Sequence, residues 1–205
     1  MLQATSHKST SPSVACILLA AGRGSRFDPQ GEHNKLLQPL ADGEAVAIAA
    51  AKNLLAVIPD VLAVVRPDAE VLASQLRAVG CKTVVCPDAG QGMAASLVHG
   101  LSCTHDARGW LIALADMPYV QTTTIRALVE TIDKGAHIAV PTYQGGRGNP
   151  VAFASVHLQD LLSLHGDEGA RRLLKAFPVT EVATGDPGIH LDIDCMDDLR
   201  RAAPA

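Results

Sequence analysis

Short apolar segments alternate with longer helical patterns along most of this chain. Val14–Leu19, Val61–Val65 and Trp110–Ala115 have the length and the unbroken apolar character of strands that are buried on both faces. Helical patterns lie between them, and repeated strand–helix units imply a parallel sheet, because each connection must cross one face of the sheet. The sequence therefore predicts an α/β fold, a three-layer αβα sandwich around a mostly parallel, Rossmann-like sheet with right-handed connections.

The remaining elements are predicted from the same patterns and from the residues that interrupt them. Helices are expected at 45–57, 69–79, 93–103, 122–132, 157–164, 170–177 and 197–203. Further strands are expected at 83–86, 137–140, 151–154, 179–182 and 191–193, with a Gly-rich loop at 142–149. A threonine at the start of the 122–132 helix is available to cap it.

The size and composition of the chain suit one domain that follows a short tail. Of its 205 residues, 48% are hydrophobic but only 3% are aromatic, so the core must consist mainly of Ala, Val, Leu and Ile. No linker-like stretch divides residues 13–205, which are expected to form a single domain. Residues 1–12, rich in Ser and Thr, are expected to be a flexible tail.

Charge and cysteine spacing restrict the partners and the location of the protein. A formal net charge of −4 disfavours binding to nucleic acid or to a membrane surface, which requires a basic face. The five cysteines have no CxxC spacing, and we find neither an export signal nor an apolar run long enough to span a bilayer. We therefore expect a cytoplasmic protein without a membrane or nucleic-acid partner.

The first predicted strand ends in a turn of small residues that is followed by basic ones. The residues concerned are Ala20, Ala21, Gly22, Arg23, Gly24, Ser25, Arg26 and Lys35. Gly22 and Gly24 permit a positive φ, so that successive backbone N–H groups can surround an anion. Arg26 and Lys35 add full positive charges. This turn predicts a site for a nucleoside triphosphate at the end of the first strand.

Two familiar nucleotide-binding motifs do not describe this turn. It lacks the Gly-Lys-Ser/Thr of a P-loop. Phe27 also stands where a dinucleotide-binding fingerprint has its third glycine. On local grounds, an ordinary strand-to-helix turn is the alternative.

Carboxylates follow the apolar strand 110–115 and occupy the predicted strand near the end of the chain. Asp116 is followed by Pro118, which fixes the direction of the turn. Asp192 and Asp194 would share one face of a strand. Because Mg²⁺ takes few protein carboxylates and completes its shell with phosphate and water, we predict Asp116 and Asp192 as metal ligands. A turn-capping role for Asp116 and a helix-capping role for Asp194 are the alternatives.

Two glycine-containing loops are candidates for contacts with the substrates. Gly92 and Ser96, at the start of a predicted helix, suit contact with a nucleobase. Arg147 and Asn149, in the Gly-rich loop, suit an anionic second substrate. The alternatives are a glycine turn with a solvent-facing serine and a plain mobile hairpin.

Four sequence blocks occur in an order that is typical of one enzyme family. They are Leu19-Ala20-Ala21-Gly22-x-Gly24-x-Arg26 with Lys35, Leu114-Ala115-Asp116-Met117-Pro118, Gly148-Asn149-Pro150-Val151, and Asp192-Ile193-Asp194. Together they resemble the MobA-like nucleotidyltransferases, most closely the molybdenum cofactor cytidylyltransferase branch. Ala21 stands where guanylyltransferases of the family usually have a second glycine. Phe27-Asp28 and Asn149 depart from the family's usual Met-Gly step and Gly-His-Pro turn.

The resemblance implies a GT-A-like fold and an Mg²⁺-dependent transfer of CMP from CTP to the terminal phosphate of a molybdopterin-type cofactor, with release of pyrophosphate. A molybdoenzyme that receives the product is a further implied partner. The implied catalytic residues are Lys35, Arg26 and Asp116, with Mg²⁺ held by Asp116 and Asp192. The implied nucleotide-binding residues are Ala20, Ala21, Gly22, Gly24, Ser25, Arg26, Lys35, Gly92 and Ser96, and the acceptor-binding residues are Arg147 and Asn149.

Two other interpretations of the same residues stay open. The first is a nucleotidyltransferase with another acceptor, such as a sugar phosphate, a polyol phosphate or the pterin of the guanylyl branch. The second is a non-catalytic chaperone that binds the cofactor and delivers it to an apo-enzyme. The joint presence of Arg26, Lys35 and Asp116 favours chemistry, because a binding module could dispense with at least one of them.

Overall fold

An eight-stranded sheet forms the centre of the protein in the computed structural model, which describes residues 13–30, 33–166 and 169–200. The strands are β1 (Val14–Ala20), β2 (Val61–Val65), β3 (Lys82–Val85), β4 (Gly109–Leu114), β5 (Ile138–Tyr143), β6 (Gly146–Arg147), β7 (Val151–Ala154) and β8 (Thr180–Ala183). Their order is β3-β2-β1-β4-β7-β5-β6, and β8 pairs with β5. Strands β1 to β4 are parallel, as are β5 and β8, whereas β7 is antiparallel to both its neighbours. The predicted mostly parallel sheet is confirmed.

Helices cover both faces of this sheet. The described residues form α1 (Val46–Leu55), α2 (Glu70–Ala78), α3 (Met93–Ser102), α4 (Thr122–Asp133), α5 (Leu158–Leu162) and α6 (Arg171–Ala176). Alternate residues of β1 belong to different apolar cores: Cys16 and Leu18 pack with residues of α1, α2 and α4. Ala15 and Ile17 pack with residues of α3, α5 and α6. The predicted αβα sandwich is therefore confirmed, with β1 between its two apolar cores.

The parallel strands bring two of the predicted functional segments together. In the β1–β4 ladder, Leu19 lies opposite Leu114. Just beyond it, the N–H of Ala115 donates to the carbonyl of Leu19 at 3.1 Å. The turn after β1 and Asp116 after β4 therefore lie side by side at the carboxyl edge of the sheet, where parallel α/β folds place their ligands.

Two predictions near the end of the chain and one at its start need correction or fall outside the described residues. Residues 191–193 do not form a strand. The expected 197–203 helix is a short 3₁₀ turn, Asp198–Arg200, and residues 201–205 lie outside the described part. The tail predicted at residues 1–12 also lies outside it.

The predicted 142–149 loop is in fact a tight β-hairpin. Strand β5 continues to Tyr143, and Gly146 pairs with Tyr143 across the turn. The two residues between them, Gln144 (φ 50°) and Gly145 (φ 79°), both have positive φ, as a two-residue hairpin turn requires. The hairpin that was the alternative interpretation of this loop is therefore present.

The cap of α4 also differs from the prediction. Its N-cap residue is Gln121, which makes no side-chain capping bond, and no threonine fills that position. The backbone N–H of Gln121 instead donates to the carboxylate of Asp186 at 2.8 Å, from 65 residues further along the chain. A capping partner this distant in sequence cannot be found from local pattern.

None of the helices in the described part of the chain combines the length and the apolar character that a membrane crossing needs.

We expect Gly100→Ala to destabilise the protein, although alanine is the better helix former. A Cβ at this position of α3 would lie 2.8 Å from Cγ2 of Val64 and 3.0 Å from Cγ2 of Ile17, both on buried central strands. Overpacking of this kind costs about 1–3 kcal/mol, more than the helix propensity gained. Urea unfolding measures the change. Ser102→Ala, on the exposed side of the same helix, is the control, and a Gly100→Ala protein more stable than wild type would contradict the packing.

Candidate active site

A cleft of about 690 Å³ opens at the carboxyl ends of β1 and β4. Most of the residues predicted for the site line this cleft. They are Ala21, Gly22, Gly24, Ser25, Arg26, Lys35, Gly92, Ser96, Asp116 and Asp192. Ala20 does not line it, because it is the buried last residue of β1. The fold thus brings together residues from four distant parts of the sequence.

The turn after β1 is built around Gly24. This residue has a φ of 64°, and its carbonyl accepts the N–H groups of Phe27 (2.9 Å) and Asp28 (3.1 Å). A Cβ on Gly24 would lie 3.4 Å from Cγ of Lys35, so the turn rests on the stem of the lysine. Gly22 does not adopt a positive φ, although its sequence context permitted one. The predicted left-handed backbone is therefore found at one of the two glycines.

Lys35 places its ammonium group among oxygen atoms at the base of the cleft. Its Nζ donates to Oδ2 of Asp116 at 2.6 Å and to the carbonyl of Ile193 at 3.0 Å, and it lies 3.5 Å from Oδ1 of Asp194. Only 11% of its side chain is exposed. Lys35 begins a 3₁₀ turn that is capped by Asn34, whose side chain accepts the N–H of Leu36. The local turn thus sets the direction of the lysine.

The Asp116 carboxylate has one satisfied and one unsatisfied oxygen. Oδ2 accepts the hydrogen bond from Lys35, whereas Oδ1 is buried and has no hydrogen-bond partner in the described structure. A buried carboxylate oxygen without a donor is unfavourable on its own. It is therefore a good candidate to bind a cation that enters the cleft.

Asp192 and Asp194 reach the same cleft without the predicted strand. The N–H of Ile193, between them, donates to the carbonyl of Asp116 at 2.8 Å and attaches this irregular segment to the end of β4. Oδ2 of Asp194 pairs with Nη1 of Arg26 at 2.7 Å. Asp192 and Asp194 therefore both line the cleft through a tertiary hydrogen bond and not through strand geometry.

Asp198, the first residue of the following 3₁₀ turn, reaches back to the segment that carries Asp194. The carboxylate of Asp198 accepts the N–H groups of Asp194 (2.9 Å) and Cys195 (2.8 Å). The side chain of Asp194 is left to meet Arg26 and Lys35. Sequence reasoning ranked Asp194 below Asp192, yet Asp194 makes the closer contacts with the cations of the site.

The electrostatics of the cleft reflect this crowding of acids. Burial raises the pKa of Asp192, and the nearby charges of Asp194 and Asp116 raise it further. A hydrogen bond from backbone and the charge of Lys35 act in the opposite direction. An additional cation near Asp192 would favour its ionised form.

The start of α3 forms another part of the lining. Gly92 has a φ of 114° and immediately precedes the helix. Ser96, one turn into α3, is 4% exposed, so it is not the solvent-facing serine of the alternative interpretation. Both residues line the cleft beside Met93 and Leu19.

Two arginines that line the cleft had no individual role in the predicted site, although Arg23 belongs to the predicted basic turn. Arg23 lies close to the opposite turn, since a Cβ on Gly90 would be 3.1 Å from its Nη2. Arg171 begins α6. Unlike Arg26 and Lys35, neither forms an ion pair with a residue in the part of the chain that the structure describes. The basic pair Arg171-Arg172 after a Gly-rich stretch was the available signal, and the sequence analysis gave it no role.

The two predicted acceptor-binding residues do not line this cleft. Arg147, on β6, donates through Nε to Oε1 of Glu181 at 2.8 Å. Asn149 borders a narrow crevice beside Asn53 and Met117, and its N–H donates to the carbonyl of Ile189 at 3.1 Å. Their predicted role stays a prediction without positional support.

The donor set of the cleft fits a hard divalent cation whose coordination shell is completed by phosphate oxygens of a substrate. Asp116, Asp192 and Asp194 offer only oxygen ligands, the type that Mg²⁺ and Mn²⁺ prefer. Among the described residues, no three acidic, His or Cys side chains already converge as a closed metal site. Lys35 lies between the carboxylates instead. The residues thus suit a cation shared with a substrate better than a resident structural metal.

Curated relatives cover nearly the whole chain. Nicotine blue oxidoreductase of Paenarthrobacter nicotinovorans is 28% identical over 200 residues, 93% of this chain and 96% of that protein. The purine catabolism protein PucB of Bacillus subtilis (strain 168) is 32% identical over 180 residues, 81% of this chain and 82% of that protein.

A solved structure shares the fold and part of the sequence. Rv0371c of Mycobacterium tuberculosis H37Rv superposes with a TM-score of 0.75 at 30% identity, covering 92% of this chain and 96% of that one. The same protein has also been solved in complex with manganese, at 28% identity, a TM-score of 0.73 and coverage of 91% and 95%. Residues 16–182 match the family described as the MobA-like NTP transferase domain. The chain belongs to this family and is a nucleotidyltransferase.

Proposed function

We propose that this protein transfers CMP from CTP to the terminal phosphate of a molybdopterin-type cofactor and releases pyrophosphate. The observation that carries the reaction type is the Asp116 carboxylate, which has one oxygen paired with the Lys35 ammonium and one buried oxygen without a partner, in a cleft lined by the Gly24 turn. The nucleobase and the acceptor rest on the sequence resemblance and on Ala21.

Positioning and charge stabilisation supply most of the catalysis in such a transfer. Backbone N–H groups of residues 21–25 would hold the triphosphate. Arg26 would bind the leaving pyrophosphate, since its side chain is 80% exposed and, among the described residues, pairs with Asp194. Lys35 would move from Asp116 towards the α-phosphate. The attacking phosphate is ionised at neutral pH, so the site needs no general base.

Asp116 and Asp192 would hold Mg²⁺, which when bound would neutralise charge on the triphosphate. The unpartnered oxygen of Asp116 supports this assignment. The manganese complex of Rv0371c supports a divalent cation in a related protein. All five cysteines of the chain are free thiols, in keeping with the reducing cytoplasm that we propose as its location.

The decisive experiment combines purified protein, Mg²⁺, one NTP and molybdenum cofactor. We expect pyrophosphate release and a pterin–cytosine dinucleotide, detected by mass spectrometry, with CTP. Pyrophosphate release only with a sugar or polyol phosphate would show that such a compound, and not molybdenum cofactor, is the acceptor. Nucleotide binding without any release would favour the delivery chaperone. Because one relative is named an oxidoreductase, a parallel sample receives NADH in place of the NTP, and NADH consumption would contradict the proposal.

Lys35→Ala should reduce turnover much more than it reduces folding stability. The change removes a cation that faces charge developing in the transition state, and loss of such a group costs on the order of 10²–10³ in rate. Steady-state kcat and urea unfolding give the two numbers. Lys52→Ala, which removes an exposed lysine paired with Glu44, should leave kcat unchanged. Wild-type turnover in folded Lys35→Ala would rule out the assigned role.

Asp116→Asn should abolish productive use of Mg²⁺, because the amide keeps the shape of the side chain but lacks its charge. Titration of activity with Mg²⁺ is the measurement. Asp60→Asn is the matched control, since Asp60 pairs with Lys82 outside the cleft. An unchanged Mg²⁺ dependence in the Asp116 variant would mean that the metal binds elsewhere.

Ala21→Gly should weaken the preference for CTP over GTP. Ala21 lines the cleft, and its methyl group narrows the space available to a purine. One methyl group in a binding pocket discriminates about 10- to 200-fold between substrates. We therefore expect the ratio of kcat/KM for CTP to kcat/KM for GTP to decrease by a factor in that range. Ala20→Gly makes the same change at a buried position that does not line the cleft, and it should keep the ratio. Equal kcat/KM ratios in both variants would show that Ala21 does not determine the nucleobase preference.

A further inference from the structure

The segment between β8 and the acidic residues of the cleft has little regular structure of its own. Residues 184–194 contain only the 3₁₀ turn Pro187–His190. The backbone groups of such a segment must find partners elsewhere. Two of them do so in distant segments: the carbonyl of Ile189 accepts from Asn149, and the N–H of Ile193 donates to the carbonyl of Asp116 at the cleft.

Asp186 is the buried anchor at the beginning of this segment. It is 1% exposed, and its carboxylate accepts three hydrogen bonds. Oδ2 accepts the backbone N–H of Gln121 and the hydroxyl of Thr124, each at 2.8 Å. Oδ1 accepts the backbone N–H of Gly188, also at 2.8 Å. A carboxylate this buried is tolerated because donors surround it.

The donors of Asp186 come from two segments that each lead to a carboxylate of the cleft. Gln121 and Thr124 begin α4, directly after the turn that follows Asp116. Gly188 belongs to the 3₁₀ turn that precedes Asp192 and Asp194. The carboxylate of Asp186 therefore links the two segments of the chain that carry the proposed metal ligands.

The junction leaves almost no room for displacement. A Cβ on Gly188 would lie 2.1 Å from the carbonyl oxygen of Tyr119 and 2.8 Å from Oδ1 of Asp186. The 3₁₀ turn thus lies directly on the backbone between Asp116 and α4. Because this contact is tight, a shift of the turn is transmitted along only a few residues to Asp192.

We propose that Asp186 is a positioning residue, whose buried carboxylate joins the start of α4 to the Pro187–His190 turn and so holds Asp192 opposite Asp116. The inference rests on the proposed metal role of Asp116 and Asp192. Asp186 itself does not line the cleft. It acts on the cation through the geometry of the acidic pair.

Binding of Mn²⁺ to the full-length protein tests this role without turnover. Mn²⁺ affinity is measured by electron paramagnetic resonance in the presence of α,β-methylene-CTP, and affinity for the analogue alone is measured in EDTA. Asp186→Asn turns an acceptor into a donor that faces other donors. It should weaken Mn²⁺ binding about 10- to 100-fold, as loss of a group that orients metal ligands does. Binding of the metal-free analogue should not change.

A matched variant separates positioning from simple loss of stability. Leu76→Ala opens a cavity at a fully buried position of α2 that does not line the cleft, so it should lower the unfolding temperature and leave Mn²⁺ affinity unchanged. Thr124→Val removes only one donor to Asp186 and should weaken Mn²⁺ binding in the same direction but less. It decides the question if Asp186→Asn does not fold.

The outcomes distinguish this inference from the proposed function. Wild-type Mn²⁺ affinity in folded Asp186→Asn, or in Thr124→Val if the former does not fold, would overturn the positioning role and leave the proposed function intact. Failure of the wild-type protein itself to bind Mn²⁺ with the analogue would overturn both. Equal losses of Mn²⁺ affinity in Asp186→Asn and Leu76→Ala would also overturn the positioning role.

Discussion

The ammonium group of Lys35 joins three of the segments that form the candidate active site. It lies 2.6 Å from Asp116 at the end of β4 and 3.0 Å from the carbonyl of Ile193, while the Gly24 turn rests on its stem. An ion pair with so little exposure contributes little net stability, because desolvation offsets the attraction between its members. The ion pair instead contributes an arrangement, because it holds a cation and several carboxylates together in the cleft.

The cleft contains both basic and acidic side chains, which suits a polyanion bound together with a divalent cation. Two of its cations, Arg26 and Lys35, are already paired with Asp194 and Asp116. Arg23 and Arg171 have no ion-pair partner among the described residues. In a chain with a net charge of −4, this local excess of arginine and lysine is a property of the site and not of the surface as a whole.

The mixed sheet explains how the last part of the chain returns to this site. The parallel strands β1 to β4 align the turn after β1 with Asp116. Strand β7 runs antiparallel to its neighbours β4 and β5, and β8 pairs in parallel with β5. From there an irregular segment must cross back to the end of β4, and Asp186 and the Ile193–Asp116 hydrogen bond hold it there. Irregular backbone is stable in this place because neighbouring segments satisfy its polar groups.

The sequence by itself determined most of the elements and most of the cleft. Buried parallel strands are continuous apolar runs, and a phosphate-binding turn needs glycine and basic residues close together, so both are visible locally. Only the tertiary structure decided that Asp192 and Asp194 reach the cleft without a strand, that Arg171 lines it, and that Arg147 and Asn149 do not. These outcomes depend on contacts between residues far apart in the chain, such as Gln121 with Asp186. Local patterns carry no information about which distant donor a buried carboxylate will meet.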